Sequence, residues 1–239
     1  MIPVAGFEGK TVAVFGLART GLAAARALLA GGAKVALWDD KASAREAAQA
    51  EGFELTDLSK ADWSAFAAVM LSPGVPLTHP KPHWTVETAK AAGVEVLGDV
   101  ELFARTVNAA PEHKRPKIVA ITGTNGKSTT TALIGHILKL AGRPAEVGGN
   151  LGMPALTLEP LDHGGIYVLE MSSYQLELTL SITFDVAVLM NITPDHLDRH
   201  GGFDGYVAAK RLIFHRQTRP RTAVVGTDDA TSRAIYEDL

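Results

Sequence analysis

Short apolar runs alternate with stretches in which alanine and leucine recur at helical spacing. Thr11-Val12-Ala13-Val14-Phe15, Val35-Ala36-Leu37-Trp38, Ala67-Ala68-Val69-Met70-Leu71 and Val94-Glu95-Val96-Leu97 read as strands. Gly21 to Ala30, closed by Gly31-Gly32, reads as a helix between the first two. Strand, helix and strand in that order predict a parallel sheet covered by helices. A short helix over Asp99 to Val107 leads into Pro111-Glu112-His113-Lys114-Arg115-Pro116, a polar connector bounded by prolines. The pattern then resumes. Ile118 to Ile121 is an apolar β-type run, followed by a helix from Thr130 to Leu140 whose apolar positions are Leu133, Ile137 and Leu140. Ile166 to Glu170, Val186 to Met190 and Thr222 to Val225 are further strands, and Asp229 to Tyr236 is a helix. Tyr206 to Phe214 is another helix, with Tyr206, Lys210 and Ile213 on one face by their three-to-four residue spacing. Gly148-Gly149-Asn150-Leu151-Gly152 reads as a glycine-dense turn. The expected architecture is α/β in two units, 1–97 and 98–239, with the boundary near Leu97-Gly98.

Composition narrows the classes of function. A chain of 239 residues with 46% hydrophobic and 21% charged residues has the make-up of an ordinary globular protein. A net charge of −3 supplies no broad attraction for nucleic acid or an anionic membrane, so a phosphate site has to be local. The absence of cysteine excludes disulfides and thiolate chemistry. No run approaches the roughly 20 apolar residues of a membrane span, and Met1-Ile2-Pro3 opens without the basic and apolar regions of a signal peptide. A cytoplasmic location is expected, with neither nucleic acid nor membrane as a partner.

Candidate chemistry gathers at strand ends. In Gly123-Thr124-Asn125-Gly126-Lys127-Ser128-Thr129, the glycines let the backbone turn with its amides inward. Lys127 is placed to meet terminal phosphates, and Ser128 to offer a hydroxyl to Mg²⁺ at a helix N-terminus. Ile121 stands where the general pattern has its first glycine. Glu170, at the end of its strand, suits the same metal. Asn191-Ile192-Thr193-Pro194-Asp195-His196-Leu197-Asp198-Arg199-His200 concentrates histidine and carboxylates at a strand exit, which suits either a catalytic or metal loop or a capped turn. Earlier, Gly16-Leu17-Ala18-Arg19-Thr20-Gly21 nearly spells the dinucleotide fingerprint, with Asp39 about 20 residues on. Ala18 replaces the glycine that admits a pyrophosphate, which favours another nucleotide or phosphate over NAD. Ser72-Pro73-Gly74 is a turn where an open α/β sheet lines its crevice.

With Gly98-Asp99-Val100-Glu101-Leu102-Phe103, Glu170-Met171-Ser172-Ser173-Tyr174-Gln175-Leu176-Glu177, Asp198-Arg199, Tyr206 and Ala209-Lys210, these segments run in the order found in the Mur ligases, which the chain resembles. The shortened phosphate loop is the form typical of that family. Within it, the resemblance is to the members that add D-glutamate to UDP-N-acetylmuramoyl-L-alanine in peptidoglycan precursor synthesis. It implies a Rossmann-like UDP-binding domain, then a P-loop-type ATPase domain, and a reaction that uses ATP and Mg²⁺ and passes through an acyl phosphate. Gly123, Thr124, Asn125, Gly126, Lys127, Ser128 and Thr129 would hold ATP. Ser128 and Glu170 would hold one Mg²⁺, with His196 and a carbamylated Lys210 at a second. Lys127, His196 and Lys210 would be catalytic. Asn150 and Ser172 would face the muramoyl part of the substrate. Arg19, Thr20, Asp39, Asp40, Lys41, Ser72 and Gly74 would bracket the uridine diphosphate, although relatives often carry an aliphatic residue where this chain has Arg19.

The family has a third domain, which binds the incoming amino acid. By the same resemblance the chain is expected to stop at Leu239 inside an incomplete ATPase domain, and to bind substrate without turnover. Two other readings stand beside this one: a noncatalytic UDP-sugar-binding module, and an NAD-dependent oxidoreductase using the turn at Gly16.

Overall fold

The computed structural model describes residues 1–150 and 152–239. Two parallel sheets follow one another. The first runs β1 (Thr11–Phe15), α1 (Arg19–Ala30), β2 (Lys34–Trp38), α2 (Ala42–Ala50), β3 (Phe66–Leu71), α3 (Trp84–Ala91) and β4 (Glu95–Leu97), with strand order β2-β1-β3-β4. The helix α4 (Asp99–Ala109) leads to the second, which runs β5 (Lys117–Thr122), α5 (Lys127–Leu140), β6 (Ala145–Gly149), β7 (Ile166–Glu170), α6 (Ser173–Glu177), β8 (Val186–Leu189), α7 (Leu197–His200), α8 (Phe203–Arg211), β9 (Thr222–Val225) and α9 (Ala230–Asp238), in the order β6-β7-β5-β8-β9.

The central strands β1 and β5 are nearly continuous runs of buried residues, as parallel strands covered on both faces require. Every pairing is parallel, with Val14 opposite Leu37 and Met70, and Ile121 opposite Glu170 and Val188. The C-terminal ends of the strands therefore carry the loops that can form ligand crevices. One apolar core passes from Val12, Val14 and Met70 through Leu102 and Phe103 of α4 to Ile118, Ala120 and Leu169. Polar contacts reinforce this bridge. Glu101, buried on α4, accepts from the amides of Leu180 and Ser181 at 2.8 and 3.0 Å, and buried Asp99 accepts from Gln175 Nε2.

Three expectations change. Residues 145–149 form an edge strand paired with β7, so Gly148 and Gly149 lie in a strand rather than a turn; Leu151 of the same motif lies outside the described residues. Glycine is required here, because a Cβ on Gly149 would meet the Glu170 carbonyl oxygen at 2.2 Å. Residues 173–177, with no helix expected, form α6 behind a capping box made by Ser172 and Gln175. Finally, Leu133, Ile137 and Leu140 of α5 are exposed rather than packed on the sheet. The face turned inward carries Thr131 and Gly135 instead.

Candidate functional site

The loop between β5 and α5 is held from outside. Gly126, at φ +84°, caps α5 in a left-handed conformation, and the helix starts at Lys127. Asn191, just after β8, takes the Thr124 amide on its carbonyl and the Asn125 amide on Oδ1, and returns a hydrogen bond from Nδ2 to the Asn125 carbonyl. Thr124 Oγ1 lies 3.2 Å from the Tyr206 hydroxyl and accepts from the Thr193 amide. The first-turn amides of α5 have no partner within the helix and carry the positive end of its dipole. Such a turn suits phosphate oxygens.

Lys127 Nζ donates to the carbonyls of Gly123 and Thr124, both at 2.9 Å, and so lies folded within the loop. Lys210 Nζ approaches the same Gly123 carbonyl, at 2.8 Å, and sits over the Tyr206 ring. A lysine on a helix is ordinarily solvated, yet Lys210 is only 2% exposed. Its burial, and secondarily the Lys127 charge, hold its pKa down at about 7.

Glu170, also buried, accepts from Ser128 Oγ at 2.8 Å on one carboxylate oxygen and from Asn150 Nδ2 at 2.9 Å on the other. This set of hard oxygen donors beside the phosphate turn fits Mg²⁺ chemically. Among the described residues no three His, Asp or Glu side chains converge as a ready-made metal cluster. His196, in left-handed conformation at φ 51°, instead shares a cleft of about 120 Å³ with Lys127, Asn150, Ser172, Tyr174 and Lys210. Behind it lies His200, whose Nε2 is 2.9 Å from Ser173 Oγ and whose ring stacks on Tyr174. Burial pushes the His200 imidazole down to about 4 and the neighbouring Glu177 carboxyl up to about 7.

A larger cleft, about 490 Å³, opens at the C-terminal ends of β1 and β3. Thr20, Asp39, Asp40, Lys41, Ser72 and Gly74 all line it. Asn150 lines both this cleft and the smaller one. Ser172 lies only in the smaller, its hydroxyl capping α6, and Arg19 is exposed and lines neither. Thr129 is exposed on the first turn of α5.

The Gly16 turn is tight. Gly16 takes φ +94°, and a Cβ on Gly21 would strike the Gly16 carbonyl oxygen at 1.8 Å, the close helix–turn approach expected of the last fingerprint glycine. Asp39, however, accepts the amides of Leu17 and Lys41 on its two oxygens. Those bonds make the carboxylate a brace for the turn. His83 and Trp84, which no pattern in the sequence marks, also belong to this cleft's surroundings: their ring nitrogens reach Asp40 at 3.1 and 3.0 Å. Their order in sequence carried no signal of that approach.

Comparison with known proteins agrees with this layout. Residues 10–98 match the family described as Mur ligase MurD-like, N-terminal domain, and residues 121–239 match the Mur ligase middle domain. Over all 239 residues the chain is 72% identical to a protein of Phenylobacterium zucineum (strain HLK1), and 71% identical to one of Caulobacter vibrioides (strain NA1000 / CB15N). Both are named UDP-N-acetylmuramoylalanine--D-glutamate ligase. The chain spans about half the length of these relatives, 51% of each. A solved structure of UDP-N-acetylmuramate:L-alanyl-gamma-D-glutamyl-meso-diaminopimelate ligase from Neisseria meningitides aligns with 97% of this chain and 75% of its own, at a TM-score of 0.62 and 14% identity, a likeness of fold. Both family matches and the relatives identical over the whole of its length place it in one group: the chain belongs to the Mur ligase family.

Proposed function

We propose that these residues are the nucleotide-sugar-binding and ATP-binding parts of a ligase that joins D-glutamate to UDP-N-acetylmuramoyl-L-alanine in peptidoglycan precursor synthesis. The observation that carries the proposal is that the cleft of the first sheet and the cleft beside the phosphate loop meet at Asn150. A substrate lying along the first cleft would bring its far end to the phosphates held in the second. The names of the relatives, which span twice the length, supply the substrate class.

A carboxylate is a poor acyl donor, so the alanine carboxylate would be activated as an acyl phosphate, with ATP as phosphoryl donor, before the amine of D-glutamate attacks. Several clustered negative charges then need neutralising. Gly123 to Thr129 would cradle the phosphates, and Lys127 would leave the loop carbonyls to meet them. Bound Mg²⁺ would supply charge neutralisation and polarise the transferred phosphoryl group. Ser128 and Glu170 would hold one ion, and His196 and Lys210 a second. For Lys210 this calls for a carbamate: neutral Nζ forms an N–C bond to CO₂ and releases a proton, leaving an anionic oxygen ligand. The lowered pKa of Lys210 supports that reading. Thr20, Asp39, Asp40, Lys41, Ser72 and Gly74 would bracket the uridine diphosphate, with Asn150 and Ser172 toward the muramoyl group. Arg19 would lie at the rim.

The division into 1–97 and 98–239 and a cytoplasmic location belong to the same proposal. No helix among the described residues is long and apolar enough to cross a membrane. The 239 residues alone are proposed to bind without turnover, because the family assigns the incoming amino acid to a further domain. Calorimetric titration with UDP-N-acetylmuramoyl-L-alanine and, separately, with a non-hydrolysable ATP analogue and Mg²⁺ tests this. Two independent saturable isotherms are expected, with no dipeptide product when D-glutamate and ATP are supplied. Binding of the nucleotide sugar alone would favour the noncatalytic module.

A further inference from the structure

At the rim of the larger cleft, the turn after β2 and the loop before α3 are tied together by side chains. Arg45 Nη1 donates to the carbonyls of Asp39 and Asp40 at 2.7 and 3.0 Å, and its guanidinium lies over the Trp38 ring. The Asp40 carboxylate takes His83 Nε2 and Trp84 Nε1. On its other nitrogen His83 caps α3: Nδ1 accepts the Thr85 amide and lies 2.9 Å from Thr85 Oγ1. Nδ1 is thus the acceptor, and Nε2 carries the proton given to Asp40. With both nitrogens engaged, the imidazole has no edge left with which to read a ligand by hydrogen bonding. It nonetheless lines the cleft, with its side chain 20% exposed. What it offers there is ring surface, packed against Phe15 at 4.6 Å between ring centroids and neighboured on the cleft wall by Val75 and Pro76.

In parallel sheets of this kind the first helix receives phosphates at its N-terminus, and the acidic residue ending the second strand lies toward the ribose. Here Thr20 stands at the start of α1, and Asp39 and Asp40 follow β2. The same order puts the diphosphate of a nucleotide near Thr20 and its base beyond Asp40, beside His83. We propose, resting on the reading of this cleft as the nucleotide-sugar site, that His83 is a specificity-determining residue whose ring is the wall on which the nucleobase stacks. Asp40 then serves the base indirectly, by holding that ring. A planar heterocycle is recognised by such a wall through face contact alone, which leaves the spent nitrogens of His83 undisturbed. Because Asp40, Thr85 and Phe15 already fix the ring, little side-chain freedom is lost on binding.

The test is a backbone amide NMR titration of the 239-residue chain with UDP and, in a separate arm, with ribose 5-diphosphate, the same ligand without its base. Shifts at Ala18 and Thr20, which line the cleft, report binding there in both arms. UDP should bind the parent chain more tightly than ribose 5-diphosphate does. His83→Ala should weaken UDP by about tenfold and leave ribose 5-diphosphate unchanged. His83→Phe keeps a flat ring without the hydrogen bonds to Asp40 and Thr85, and should retain more affinity for UDP than His83→Gln, which keeps a donor without the ring. The proposal is overturned if folded His83→Gln binds UDP as tightly as the parent. It is equally overturned if His83→Ala weakens both ligands alike, the mark of a residue that only supports the turn. Those two results leave the nucleotide-sugar reading standing, whereas UDP that fails to perturb Ala18 and Thr20 in the parent chain overturns that reading and the stacking wall with it.

Discussion

Lys127 and Lys210 donate to one carbonyl oxygen, that of Gly123, and this convergence sets different expectations for the two residues. Lys127 is the half-buried partner and belongs to the glycine loop before α5, while the cleft of the first sheet, proposed above for the nucleotide sugar, is lined by other residues. Lys127→Ala should therefore abolish or greatly weaken binding of the ATP analogue and leave that of UDP-N-acetylmuramoyl-L-alanine nearly intact; equal losses by calorimetry in a folded variant would contradict it. Lys210 is the buried partner, and its folded pKa near 7 lies below the ordinary 10.5. Between these values the unfolded chain binds the additional proton, so stability rises with pH across that window. The cost is full below about 7 and gone above 10.5. In CO₂-free buffer, Lys210→Met should raise the melting temperature more at pH 6 than at pH 10, relative to the parent chain. A difference independent of pH would sink the assignment. With ¹³C-bicarbonate at neutral pH, the parent should show a carbamate resonance that Lys210→Met lacks.

α5 shows at the scale of an element how a sequence can mislead and still be read correctly in outline. The spacing of Leu133, Ile137 and Leu140 places a helix over Thr130 to Leu140, which the structure begins three residues earlier, at Lys127, but that same stripe points to the wrong face. Its packing surface is defined by a small residue: a Cβ on Gly135 would meet Val147 Cγ2 at 2.2 Å, so helix and strand approach as closely as they do because position 135 has no side chain. Gly135→Ala ought to gain about 1 kcal/mol from helix propensity on an open surface. Here overpacking, typically about 1–3 kcal/mol, works against it and should win, giving a lower denaturation midpoint. Leu133→Gln and Leu140→Gln should each change the stability of this chain by no more than about 0.5 kcal/mol, because water already reaches both side chains. A large loss in either would show that the stripe is covered. The same contrast explains what was legible elsewhere. Strands such as β1 and β7 are marked by continuous apolar runs, and Glu170, Ser128 and Lys127 by their positions beside a glycine turn. β6 was hidden because its two glycines read as a turn until their pairing with Leu169 and Glu170 is known. The brace from His83 and Trp84 to Asp40 joins residues more than forty positions apart, a relation that no local pattern encodes.

Across the whole molecule the two sheets are separate in hydrogen bonding but continuous in packing. α4 is the shared element. Phe103 is fully buried and meets Tyr167 of β7 edge-on at 5.0 Å between ring centroids, in a core that also includes Val12, Val14 and Met70 of the first sheet. Glu101 and Asp99 of the same helix bind the segment around α6. If these contacts couple the sheets, heating should unfold both in one cooperative transition, with calorimetric and van't Hoff enthalpies in agreement. Phe103→Ala removes a fully buried aromatic ring, a change worth about 3–5 kcal/mol in protein cores. Its effect should appear equally in both halves: the fluorescence of Trp38, Trp63 and Trp84, all in the first unit, and hydrogen exchange at β5 and β7 should report the same lowered midpoint. Two resolved transitions in the parent chain, or a shift confined to the second sheet in Phe103→Ala, would show instead that α4 is a linker carried by one sheet, and that the clefts meeting at Asn150 are positioned by their loops alone.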